Sequence, residues 1–255
     1  MMYPIIPDGE PCLLPGGKIG CVLLHGFTAM PAETHPLGNI LNEKGCTVLA
    51  VRLAGHGTHP EDLVDVHWGD WIADVQSAIE ELDGMTNQIF LIGQSMGGMI
   101  AISAAAGHPV AGVVGLSTPA FIQFSDRERA RITRDSDAGR IIRKPHVRLH
   151  PHYGICREKN YPAYAAYPAR ILLELESACS TMRKNLSSVS CPVLFIQSRQ
   201  DEGISLNSLP YLYDHVGSND RRMVWLDGFG HSLIQDPNRS VMFEIVWNFI
   251  FEKSS

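Results

Sequence analysis

The sequence predicts an α/β fold with a mostly parallel central sheet flanked by helices. Three observations carry that expectation. Short apolar runs occur at 19–24, 47–51, 89–92, 110–116, 193–196 and 223–226, rich in Val, Ile and Leu with no polar alternation. Such runs are the mark of parallel strands buried on both faces. Longer helical candidates lie between them at 32–44, 68–82, 96–107, 205–216 and 237–252. Strand and helix therefore alternate, which requires helices on both faces of the sheet.

The elements follow in order. In 68–82, Trp68, Trp71, Ile72, Val75, Ile79 and Leu82 recur at i, i+3/i+4 spacing, so one face packs on the sheet. In 237–252, Val241, Ile245, Val246, Phe249 and Ile250 form a broad apolar stripe. The rhythm breaks from Phe121 to about Leu186, where there is no buried strand and arginine is concentrated: Arg127, Arg129, Arg131, Arg134, Arg140, Arg143 and Arg148. A structureless loop of that length does not suit a compact domain. The expectation is a core at 1–120 and 187–255, with a small lid of helices at 121–186. Residues 169–182 are its clearest helix.

Bulk properties exclude several classes. The formal net charge of −6 argues against nucleic acid, since phosphate binding needs a basic field. No run approaches the roughly 20 apolar residues of a membrane span. Residues 1–7 have neither a basic nor an apolar region suited to export, so a cytoplasmic protein is expected. The six cysteines are scattered, without C-x-x-C or zinc spacing, and read as reduced thiols.

Gly93-Gln94-Ser95-Met96-Gly97 matches G-x-S-x-G and joins the run 89–92 directly to a helix of small residues. A strand turning sharply into a helix exposes its middle residue above the sheet edge, and small neighbours make the turn possible. Ser95 is thus the candidate nucleophile. A serine hydroxyl needs a general base and a carboxylate to orient that base. Of the eleven histidines, His231 lies just after the last strand, at the carboxyl edge that also carries Ser95. His56 precedes the serine and reads as structural, as does His25; His146, His150 and His152 read as exposed lid residues. The acid should follow 193–196, where Asp201 is preferred over the adjacent, chemically competent Glu202. Asp227 and Asp236 suit a turn and a helix cap better. Oxyanion stabilisation takes two backbone N–H groups. One is that of Met96; the other is that of Phe27, in the loop Leu24-His25-Gly26-Phe27. Phe121, Ile122, Leu172 and Leu173 are further candidates for substrate contact. No metal or organic cofactor is called for.

These segments resemble the bacterial carboxylesterases and monoacylglycerol lipases of the α/β-hydrolase superfamily. The matching stretches are Leu23–Thr28, Arg52–Thr58, WGDWIAD from Trp68, GQSMGG from Gly93, CPVLFIQSRQD from Cys191, and Gly230-His231. The resemblance implies a Ser95–Asp201–His231 triad, a small helical cap inserted after the sixth-strand region, and an ester substrate with an apolar acyl chain. It leaves open a monomer or a homodimer. It also leaves open another acceptor or bond (perhydrolase, acyltransferase, amidase or peptidase), or a non-catalytic ligand binder on the same scaffold. The chain departs from the group in having Gln94 before the serine and Glu202-Gly203-Ile204-Ser205 after the acid. Between Ser125 and Lys159, ten Lys/Arg stand against five Asp/Glu. The bland reading is a solvated face; the sharper one is a lid that attracts an anionic substrate or a peripheral contact with an anionic membrane.

Overall fold

The computed structural model describes residues 3–144 and 163–254. Seven strands form one sheet in the order β1-β3-β2-β4-β5-β8-β9. In chain order they are β1 (Cys12–Leu14), β2 (Ile19–Leu24), β3 (Thr47–Val51), β4 (Gln88–Gln94), β5 (Gly112–Leu116), β8 (Val193–Ser198) and β9 (Arg221–Leu226). All neighbours run parallel except β1, which pairs antiparallel with β3. β1 does not stand out in the sequence, because its apolar run is only the three residues Cys12–Leu14, held between Pro11 and Pro15.

Alternate residues of each strand enter two separate cores. Val22, Leu24, Leu49 and Val51 share one core with α2 (Trp68–Asp83), α3 (Met96–Ala105), α5 (Arg170–Asn185) and α6 (Ser208–His215). Cys21, Leu23, Val48 and Ala50 pack with α1 (His35–Glu43) and α7 (Ser240–Lys253) on the other face. Burying both faces explains why the strand sequences are apolar throughout. Each buried Leu, Ile or Phe contributes about 1.5–3 kcal/mol relative to exposure.

The chain runs from β2 outward to β3, then returns to place β4 on the other side of β2. That reversal opens a crevice at the carboxyl ends of β2 and β4, where ligands bind in open α/β sheets. Leu24 of β2 is level with Gly93 of β4, so the loop after β2 and the turn at Ser95 leave the sheet side by side.

The segment expected to form the lid follows β5, the fifth strand of this chain. Among the described residues it holds α4 (Asp126–Asp137), β6 (Ile141–Arg143), β7 (Ala166–Pro168) and α5. It is therefore not purely helical, since β6 and β7 pair as a small antiparallel sheet. The start of α4 has a local signal: Ser125 accepts from the Glu128 amide while the Glu128 carboxylate takes the Ser125 amide, a capping box. His146, Arg148, His150 and His152 lie outside the described residues, as does Cys156. Among the described residues, Cys12, Cys21, Cys46, Cys179 and Cys191 are free thiols, and no helix is long and apolar enough to cross a membrane.

Candidate active site

Ser95 sits between β4 and α3 with φ 55° and ψ −114°. This conformation is costly for a residue with a Cβ and persists only where the surroundings impose it. The turn closes because its flanks are bare. A Cβ on Gly93 would lie 2.1 Å from the Gly97 backbone, and one on Gly97 2.2 Å from the Leu24 carbonyl. The Ser95 amide donates to Leu116 O at 2.7 Å, which fixes the turn to the end of β5.

Three loops bring Ser95, His231 and Asp201 together. Nε2 of His231 is 3.0 Å from the Ser95 Oγ, and Nδ1 is 2.8 Å from Asp201 Oδ1. With the proton on Nδ1 donated to the carboxylate, Nε2 is free to accept from the serine. The same Asp201 oxygen also accepts from the amides of Gly203 at 2.8 Å and Ile204 at 3.2 Å. Burial would raise the Asp201 pKa, but the hydrogen bonds and charge of His231 and the Gly203 amide outweigh it, and the carboxyl is held below its ordinary value. Glu202 does not join this network; it lines the cleft instead and is exposed. Asp227 pairs with Arg199 at the surface, and Asp236 receives the Gly230 and Asn238 amides.

Two residues outside the motifs frame the histidine. A Cβ on Gly203 would lie 2.5 Å from the His231 ring, so a side chain there would displace the imidazole. Gln94, buried beneath the turn, donates from Nε2 to the His231 carbonyl at 3.0 Å. Glutamine at this position departs from the resembling group, and this contact is its physical consequence.

The loop after β2 is held from both sides. The Gly26 amide donates to the buried Glu33 carboxylate at 2.6 Å, and the Thr28 amide donates to His56 Nε2 at 3.2 Å. The Phe27 amide between them has no acceptor among the described residues, nor does that of Met96. Both residues line the cleft with Ser95. His25 supports the same loop, donating from Nδ1 to Gly26 O at 2.9 Å and accepting from the Leu53 amide at 3.3 Å. His56 likewise gives Nδ1–H to Ala54 O at 3.0 Å. Each ring uses its second nitrogen as an acceptor, so both must be neutral. Burial lowers His25 to about 4 and His56 well below its ordinary value. The insertion closes the loop's outer side, through a Tyr164 amide bond to Thr28 O at 2.8 Å and the Tyr167 ring 5.1 Å from Phe27.

The cleft holds about 380 Å³ and has an uneven lining. Phe27, Met96, Met99, Phe121, Ile122 and Leu175 give it an apolar side, while Glu202 and Ser205 stand with His231. Phe121 and Ile122 thus reach the cleft. Leu173 does not; it lines a neighbouring cavity, and Leu172 lines neither. Helical periodicity explains the difference: the inward stripe of α5 is Ile171, Leu175, Ala178 and Met182, so Leu175 is the helix residue that meets the cleft. Among the described residues no group of His, Cys, Asp and Glu is arranged to hold a metal.

The sequence model of the family described as serine aminopeptidase, S33 (Hydrolase_4) matches residues 18–238. A thermostable monoacylglycerol lipase of Bacillus sp. (strain H-257) is 28% identical over 248 residues, covering 95% of this chain and 94% of that protein. A carboxylesterase of Bacillus subtilis (strain 168) is 27% identical over 243 residues, covering 94% and 96%. A solved structure described with the metagenome-derived lipolytic enzymes LipS and LipT superposes with TM-score 0.87 at 27% identity, covering 98% of this chain and 100% of that one.

Proposed function

The chain belongs to the Hydrolase_4 family, a hydrolase of the α/β-hydrolase fold in the esterase and lipase group, and we propose that it cleaves carboxylic esters through an acyl-enzyme on Ser95. The observation that carries the reading is the unbroken hydrogen-bond chain from Ser95 Oγ through the His231 ring to Asp201. A serine alone is a poor nucleophile; one joined to a neutral imidazole with an ionised carboxylate behind it is activated.

Ser95 Oγ attacks the ester carbonyl as its proton passes to His231 Nε2. The carbonyl oxygen becomes an oxyanion held by the Phe27 and Met96 amides, each tied by neighbours that cannot follow the substrate. Loss of one such donor costs about 3–4 kcal/mol in the barrier. The imidazolium, facing Asp201, then gives its proton to the departing alcohol. Water takes the alcohol's place and attacks the acyl carbon as His231 removes its proton; His231 returns that proton to Ser95 Oγ as the acyl–Oγ bond breaks and the carboxylic acid leaves. Phe121, Ile122, Phe124 and Leu175, from the segment expected to form the cap, shape the apolar side, and the substrate is a small-molecule ester whose acyl chain is apolar next to the ester group.

Amide cleavage by the same groups is the competing reaction, favoured by the family's description as an aminopeptidase. Wild type and Ser95→Ala assayed on p-nitrophenyl butyrate and on an aminoacyl p-nitroanilide separate the possibilities. The expected result is ester turnover far above amide turnover, abolished in the folded variant. Near-wild-type ester turnover by Ser95→Ala would sink the assignment.

A further inference from the structure

A second cavity, of about 580 Å³, shares the wall formed by Ile122, Gln123 and Phe124 with the catalytic cleft. Its far side is polar and comes from α4 and α5: Arg129, Glu176, Ser177, Ser180 and Arg183. The charges there do not cancel. Both terminal nitrogens of Arg129 are taken by Glu176, at 2.5 and 2.6 Å, so that pair is internally neutral. Arg183 has no carboxylate partner among the described residues. It gives Nη1 to Ala120 O at 2.7 Å and a weaker contact to Cys179 Sγ, while Nε and Nη2 have no hydrogen-bond partner among the described residues and Arg183 lines the cavity. The hydroxyls of Ser177 and Ser180 have no partner among the described residues either.

Arg183 is also close to the reacting side. Its guanidinium lies over the Phe121 ring, 5.6 Å from the centroid, and Phe121 lines the cleft with Ser95. Phe121 therefore touches both the cation and the apolar side of the cleft. The catalytic cleft itself carries the reverse charge, because Glu202, next in sequence to Asp201, is among its lining residues. An anionic alcohol would be repelled there, whereas an anion at the far end of the acyl group would meet Arg183.

We propose that this second cavity is an anion subsite for the acyl group, and that the favoured acyl donors are half-esters of dicarboxylic acids. The proposal rests on the ester hydrolysis at Ser95 argued above. A planar guanidinium fork matches a carboxylate in two parallel hydrogen bonds, and the two serine hydroxyls supply further donors. The apolar methylenes between ester and carboxylate lie against Phe121 and Ile122, so the fit depends on chain length. A charge-assisted contact of this kind is worth roughly 10–100-fold in kcat/KM.

The test compares mono-p-nitrophenyl esters of adipic, suberic and sebacic acid with the plain p-nitrophenyl esters of equal length. The assays use wild type and Arg183→Gln, at low and high salt. Wild type should favour the carboxylated ester at least tenfold at one chain length, with the ratio shrinking as salt rises. Arg183→Gln should lose that ratio. The wild-type ratio and its salt dependence stand without the variant, should Arg183→Gln fail to fold. A wild type that turns over plain esters but shows no preference for any carboxylated one overturns the subsite and leaves the esterase reading intact. So does a preference that survives in folded Arg183→Gln. Failure on both ester series would strike the esterase reading itself.

Discussion

The two walls of the cleft are built from different material. One wall consists of strand ends: Ser95 after β4, Met96 at the start of α3, Phe27 after β2, and His231 beyond β9. Its atoms are placed by backbone hydrogen bonds and by close approaches that only glycine allows. The other wall comes from the insertion, where Phe121, Ile122 and Phe124 are only partly buried and present side chains rather than backbone. Under the proposed mechanism, the difference makes bond cleavage and substrate choice separable. Changes to the first wall should alter rate by orders of magnitude, and changes to the second should alter preference.

The largest effect expected is on the first wall. Asp201→Asn turns a carboxylate that accepts the Nδ1 proton into a group that can donate, which favours the wrong imidazole tautomer. kcat for a p-nitrophenyl ester should fall by roughly 10³–10⁴-fold. A loss of less than tenfold in a folded variant would show that Asp201 is not the orienting acid.

Next comes the support under the oxyanion loop. His25 is neutral in the fold with a pKa of about 4, against about 6.5 when unfolded. Between those values the unfolded chain binds the extra proton, so stability falls as pH falls from about 6.5 to about 4. The contribution lost is about 3 kcal/mol, and His56 acts in the same direction. Melting curves should move to lower temperature across that window. A Tm that stays level from pH 7 to pH 5 would contradict the neutral pair.

A smaller effect is expected from Gln94→Leu, which removes the bond to the His231 carbonyl while filling the same space. One neutral hydrogen bond corresponds to roughly 2–10-fold in kcat/KM. If the rate is unchanged, the histidine loop is held by its other contacts alone. Phe121→Ala, on the second wall, should shift the preferred acyl length while changing kcat on the best substrate only a few-fold. A chain-length profile identical to wild type would remove Phe121 from the acyl side.

The same contrast governs how much could be read in advance. The core was legible because its signals are local: apolar runs of fixed length, helical periodicity in 68–82, and glycines around Ser95 where a Cβ has no room. The order Ser95, Asp201, His231 along strand ends then followed from the parallel sheet. Gln94 and Gly203 were not legible as parts of the site, since their contacts with His231 span 137 and 28 positions; the first is a hydrogen bond and the second a close approach. The insertion was least legible. Leu172 and Leu173 look as apolar as Leu175, and only the packing of α5 on α3 decides which of them meets the cleft. The capping box at Ser125 was a local signal for α4, masked by the arginines that follow it.

The most direct test of the central claim is the covalent state of Ser95 during turnover. Wild type mixed with p-nitrophenyl butyrate and quenched in acid within milliseconds should gain the mass of one butyryl group. Peptide mapping should find that group on Ser95, with none on Ser95→Ala. A butyryl group on another residue, or a burst of p-nitrophenol with no adduct on the protein, would contradict the account.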